Sequence, residues 1–137
     1  MVAETAPPFI IGFNEATATL EVMMAGFWSL AVLAAYTSES QRWIAPLKAS
    51  RRWFALLVDN TRFEVQPADV SDALSETVKR ASEGHRAPTA LVVRGALSKL
   101  QARRIGAAEH VAIFTDFAEA RRWIETKKMA AVRSGRR

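Results

Sequence analysis

Apolar positions along the chain gather into blocks separated by short polar turns, and the blocks switch between two periods. Phe9–Phe13 and Thr17–Ala25 read as strands joined by the polar Asn14-Glu15-Ala16 turn, with Leu20 and Val22 alternating against Thr19 and Glu21. Gly26 breaks that run, and Phe27 to about Leu47 has helical composition, with Pro46 expected to kink or end it. Trp53–Val58 is a continuous apolar run ending at Asp59-Asn60-Thr61, as a strand covered on both faces would be. Pro67 suits a first helical position, and Val70, Leu74 and Val78 with Ala73 and Ala81 form a core-facing stripe that Gly84 can terminate. Thr89–Val93 is a second buried strand, Leu97 to about Ile105 a short basic helix with Leu97, Leu100 and Ile105 as its apolar side, and His110–Phe114 a last strand. Asp116 can cap a closing helix, Glu119 can complete a capping box, and Phe117, Ala120, Trp123 and Ile124 make the inward stripe.

The predicted order is therefore ββαβαβαβα. Each strand after the first hairpin is followed by a helix, so the fold class is α/β, a mostly parallel five-stranded sheet with about four helices. At 137 residues the chain fits one core, expected over residues 9–126, after a flexible start at 1–8. The start has no basic region and Phe9–Phe13 is too short for a signal peptide, which leads to a cytoplasmic expectation.

Charge changes the picture only once it is located. The net +5 suggests nucleic acid, but Lys127, Lys128, Arg133, Arg136 and Arg137 fall in the last eleven residues without an acid, and the remaining 14 basic residues balance 14 acidic ones. The excess is a tail, expected disordered over 127–137, and the neutral body offers no basic face for nucleic acid. The absence of cysteine excludes disulfides, a thiolate nucleophile and a zinc ribbon. No cofactor motif or metal-ligand spacing stands out, and His85 and His110 lack a nucleophile or second ligand beside them. Asp59 and Asp116 can be imagined as an acid/base pair, but aspartates at strand ends are more commonly turn formers and caps.

The order, the Leu57-Val58-Asp59 strand end, the basic helix after Val92-Val93 and the closing Phe114–Ile124 block together resemble the SpoIIAA-like branch of the STAS-like domains. That resemblance implies a non-enzymatic binding or regulatory domain, acting through a protein partner or an apolar ligand held between sheet and helices. In the wider group, anti-sigma-factor antagonists are switched by phosphorylating a serine at the start of the helix after the central strand. Here that helix opens Gln66-Pro67-Ala68-Asp69 and Ser71 lies a turn inside, so a phosphoserine switch is not expected.

Ligands of parallel sheets sit beyond the carboxyl ends of the strands, which nominates Asp59, Asn60, Thr61, Arg94, Gly95, Ser98, Thr115 and Asp116 as a rim. Arg94, Lys99, Arg103 and Arg104 add positive charge at one helix start, so an acidic head near Arg94, Ser98 and Lys99 with an apolar tail under Phe27, Leu30 and Leu33 is the expected ligand arrangement. Val22–Tyr36 holds fifteen mostly apolar residues, short of the roughly twenty of a membrane span. Its aromatic and aliphatic residues surround the helix, so some are expected to face outward and to serve a homodimer contact. The alternative is reversible attachment at the inner membrane surface, with Phe27, Trp28 and Tyr36 at the lipid and Lys127, Lys128 and Arg133 drawn to anionic head groups.

Overall fold

In the computed structural model, which describes residues 7–83, 85–106 and 108–135, the predicted order is realised. The strands are β1 (Phe9–Asn14), β2 (Thr19–Gly26), β3 (Ala55–Phe63), β4 (Thr89–Val92) and β5 (Val111–Phe114), and the helices α1 (Leu30–Ser50), α2 (Ala68–Ser82), α3 (Ala96–Gly106) and α4 (Phe117–Arg133). Residues 1–6 of the expected flexible start, the Gly84 cap and the last two basic residues lie outside the described residues, and Pro8 is held by the Ala25 N–H at 2.9 Å. The sheet follows chain order, β1-β2-β3-β4-β5, with β1 antiparallel to β2 and every later pair parallel.

Each crossover moves one strand in the same direction, so a common hand places α1, α2 and α3 on one face. Under them lies the larger core of Leu20, Val22, Met24, Trp28, Leu33, Tyr36, Val58, Phe63, Val70 and Leu74. α4 has no strand after it and covers the other face, where Ala120 and Ile124 meet Ala55, Leu57, Ala90 and Val92. Alternate residues of β3 thus serve two cores, which is why Trp53–Val58 reads as unbroken apolar sequence.

Five boundaries differ from expectation. β3 continues to Phe63 because Asp59 Oδ1 accepts hydrogen bonds from the Thr61 N–H at 2.9 Å and the Thr61 hydroxyl at 2.6 Å, while the pairing with β2 slips between Met23 and Ala25. That irregularity changes the alternation, so Val58 and Phe63 share a core although five positions apart. α1 begins at Leu30, not Phe27: Gly26 turns the chain at φ +77°, and the Ser29 hydroxyl caps the Val32 N–H. α1 also runs through Pro46 to Ser50, with Ile44 and Leu47 packed on the core and Arg51 closing it in the left-handed conformation. α4 extends to Arg133, so Lys127, Lys128 and Arg133 belong to a helix and not to a disordered tail. Asp116 caps α4 through the Ala118 N–H at 3.1 Å, while the Glu119 half of the expected box is absent among the described residues. Pro67 is the N-cap of α2, one position before its expected place.

Candidate functional site

A cavity of about 130 Å³ lies between the sheet and the three helices of the larger layer. By the same measure one water needs roughly 10–15 Å³, so there is room for a small organic molecule. Its floor is Leu56, Val58, Leu91 and Val93, and its roof comes from one face of each helix, including Tyr36, Leu74 and Ile105. The space persists because many side chains aimed into it are small, among them Ser40, Thr77, Ala81 and Ala102.

Polar groups occur at the two ends of the cavity. At the end beyond the strand carboxyl termini are Asn60, Ser98 and Gln101; at the opposite end are Lys48, Ser82, His85 and His110. The ring of His85 stacks on Phe54 at a centroid distance of 4.9 Å, and Lys48 Nζ reaches the Glu83 carbonyl at 3.4 Å. The Ser82 hydroxyl donates to the Val78 carbonyl at 3.0 Å and lies 3.2 Å from His110 Nε2. Because a hydroxyl has one proton, this network assigns Nε2 as the donor to Ser82 and leaves His110 Nδ1 as a bare acceptor. Among the described residues Nδ1 is buried without a partner, as is Asn60 Oδ1. Burial pushes the Tyr36 hydroxyl up to about 12, so it stays a neutral donor beside the cavity.

Both histidines are held below the ordinary imidazole range, first by burial and then by a neighbouring cation, Lys48 for His85 and Arg86 for His110. The unfolded chain therefore binds protons more readily than the folded one. Their contribution to stability is present above the ordinary value of about 6.5 and is lost as pH falls through it towards the lower folded values. The melting temperature is expected to fall on going from about pH 8 to about pH 5, and His110→Gln to flatten that slope. An identical slope in the variant would mean that His110 does not contribute.

Of the twelve residues expected to hold a ligand, the structure brings Asn60 and Ser98 to the cavity. Asp59 is engaged with Thr61 and Asp116 with the start of α4, so both nominated carboxylates serve local structure. Arg94, Gly95, Thr115 and Asp116 are exposed, and Lys99 is half-buried outside the lining. Phe27 and Leu30 point to solvent, at 73 % and 52 % exposure, whereas Leu33 is in the core. Trp28 and Tyr36, expected at a membrane or partner surface, are 3 % and 9 % exposed and belong to the core. Beyond Leu30 the first half of the helix looks apolar all round because its outward positions are Ala31, Ala34 and Ala35. The basic residues Lys127, Lys128 and Arg133 lie on α4 across the sheet from α1, so the two halves of the expected membrane attachment occupy different layers. Among the described residues no helix is long and apolar enough to cross a membrane.

Sequence reasoning missed Lys48, Ser82, His85 and His110 as site residues. Their one available signal was that two histidines and a lysine all fall near the amino ends of parallel strands, and the strand-end rule directs attention to the other edge. It also missed Gln66 and Gln101, which are buried and tie the tops of β2, β3 and α3 together. Ser71, the hydroxyl nearest the start of α2, is buried as well.

No protein-family model and no curated protein matches the sequence. Among solved structures, the chain is similar to an uncharacterised DUF3478-family protein with a SpoIIAA-like fold from Shewanella loihica, at a TM-score of 0.66 and 15 % identity over 90 % of this chain and 99 % of that one. It is also similar to an anti-sigma factor antagonist from Mycobacterium paratuberculosis, at a TM-score of 0.59 and 15 % identity over 89 % of this chain and 99 % of that one. At such identity the likeness is one of fold, and the fold is SpoIIAA-like.

Proposed function

From a SpoIIAA-like fold enclosing an apolar cavity, we propose that the protein is a regulatory binding domain, not a catalyst, and that it takes an apolar small molecule between its sheet and α1–α3. The observation that carries this reading is the cavity itself, with small side chains in its roof and two polar atoms that have no partner among the described residues. An apolar guest gains by burying its surface against this lining, and the polar groups can orient it. The anti-sigma factor antagonist among the structural neighbours supports a protein partner as the reader of the bound state. Phe27 and Leu30, exposed where β2 passes into α1, are available to that partner. Ser71 is buried, so control by an occupant suits this chain better than phosphorylation at the head of α2.

Calorimetric titration with dodecanol tests the reading. One site per chain is expected, and Ala102→Trp, which drives an indole from α3 into the cavity, is expected to weaken binding by at least about tenfold, or 1.4 kcal/mol. Ile105→Trp should act in the same way from the next turn. Binding that is equal in wild type and both variants, with circular dichroism unchanged, would place the guest elsewhere and overturn the proposal.

A further inference from the structure

The cavity's unpartnered and charged groups fall at its two ends, while the Ser40 and Thr77 hydroxyls between them are bonded to carbonyls of their own helices, and the strand register measures how far apart those ends are. Leu56 N–H donates to the Pro88 carbonyl and Thr89 N–H to the His110 carbonyl, so His110 is level with Pro88 and with Ala55. Asn60 is five positions further along β3, which at about 3.3 Å per residue is roughly 16 Å along the strand direction. Two strand spacings of about 4.8 Å separate β3 from β5, so the polar ends are diagonally opposed. Both buried side-chain atoms without partners among the described residues, Asn60 Oδ1 and His110 Nδ1, therefore belong to the same cavity at opposite ends.

The two ends differ in chemistry. Around His110 the lining holds Lys48 and His85, Arg86 is close enough to act on the imidazole, and among the described residues no aspartate or glutamate lines the cavity. A carboxylate suits this end: its negative charge meets Lys48, and on binding His110 takes up a proton from solvent at Nδ1, which then donates to the carboxylate while Nε2 keeps its contact to Ser82. Around Asn60 no charged side chain among the described residues lines the cavity, and the amide offers a neutral hydrogen-bonding group.

Resting on the cavity reading above, we infer that the guest is an elongated amphiphile polar at both ends, with its carboxyl group at the Lys48, His85 and His110 mouth and a neutral hydrogen-bonding group, such as a hydroxyl, at Asn60. This reverses the orientation that charge along the sequence suggests, because Arg94 and Lys99 are outside the lining. The apolar stem would lie along Leu56, Val58 and Leu91.

Four probes of one chain length separate the ends: dodecanol, dodecanoate, dodecane with a hydroxyl at each terminus, and dodecanoate with a terminal hydroxyl. Titrated into the full chain, the hydroxy acid is expected to bind tightest, with each added polar end strengthening binding by about tenfold, as one well-placed hydrogen bond does. Lys48→Met should abolish the advantage of the carboxylate and leave that of the terminal hydroxyl; Asn60→Leu should do the reverse. Neither variant is expected to unfold the chain, since Lys48 is half-buried near a helix end and Asn60→Leu removes an unpartnered amide. If dodecanol binds as tightly as the hydroxy acid, or if both variants weaken all four probes alike, the two-ended inference is wrong and the cavity reading survives. If none of the four binds wild type, the cavity reading fails as well.

Discussion

Trp28→Ala is expected to destabilise the protein by roughly 3–5 kcal/mol, the usual cost of deleting a buried indole and leaving its space unfilled. Trp28 is where β1, β3 and α1 meet. Its ring lies 6.0 Å from Phe9, 5.1 Å from Tyr36 and 5.0 Å from Phe63, and the Phe9 and Phe63 contacts are edge-to-face. Such pairs add about 0.5–1.5 kcal/mol beyond simple area burial. The indole N–H donates to the Ala25 carbonyl at 3.1 Å and is 3.3 Å from that of Pro8, so truncation also removes a partner from the chain on both sides of the hairpin. Set against a typical total of about 5–15 kcal/mol, the loss is a large fraction of the fold's stability. Urea unfolding of wild type, Trp28→Ala and Trp28→Phe measures it. The phenylalanine variant keeps most of the packing and is expected to lose only about 1–2 kcal/mol, largely through the indole hydrogen bond. An alanine variant within about 1 kcal/mol of wild type would mean that this cluster is loose, contrary to its burial.

Much of this architecture was legible because strands covered on both faces announce themselves. Trp53–Val58, Thr89–Val93 and His110–Phe114 are apolar runs between turn residues, and the helices between them leave little choice of topology. Boundaries were harder wherever a polar side chain substituted for a backbone partner. Asp59-Asn60-Thr61 reads as a turn, yet the Asp59 carboxylate satisfies Thr61 and the strand goes on. The site was least legible because its lining is not an apolar stripe. On α3 the inward positions are Ser98, Gln101, Ala102 and Ile105, spaced as one helical face, while Leu97 and Leu100 are 70 % and 58 % exposed. Choosing the inward face by hydropathy therefore selects the wrong side of that helix. A helical face of small and polar residues, opposite a strand residue such as Asn60 that interrupts an apolar alternation, is the pattern by which this cavity could have been anticipated. Charge misled for a related reason: Arg94, Arg103 and Arg104 are numerous but exposed, whereas Lys48 is a single cation that lines the cavity.

Gln66→Ala should be nearly as damaging as the loss of Trp28, at about 3 kcal/mol, although no large side chain is removed. The buried Gln66 amide accepts the Trp28 N–H at 2.7 Å and donates to the Gly26 carbonyl at 2.9 Å and the Glu64 carbonyl at 2.7 Å. Its own backbone N–H donates to Gln101 Oε1, and Gln101 Nε2 returns to the Glu64 carbonyl at 3.2 Å. Two side-chain amides thus replace the backbone pairing that ends where β2 and β3 separate, and they hold the start of α1 against the entry to α2 and the middle of α3. Alanine at 66 strands the buried Trp28 N–H, at about 1–3 kcal/mol, and takes one of two partners from the Gly26 carbonyl, which keeps the Glu64 N–H at 3.3 Å, at about 0.5–1.5 kcal/mol. Gln101→Ala removes fewer bonds and is expected to cost about 1–2 kcal/mol, since the Glu64 carbonyl keeps Gln66. The double variant should fall short of the sum by at least about 0.5 kcal/mol, as linked members of one network do. Amide hydrogen exchange at Trp28 gives the local readout, with protection expected to drop in Gln66→Ala by more than the global loss of stability explains. Full additivity, with Trp28 exchange following global stability alone, would show that the two glutamines act separately and that the helices above the cavity are positioned by apolar packing.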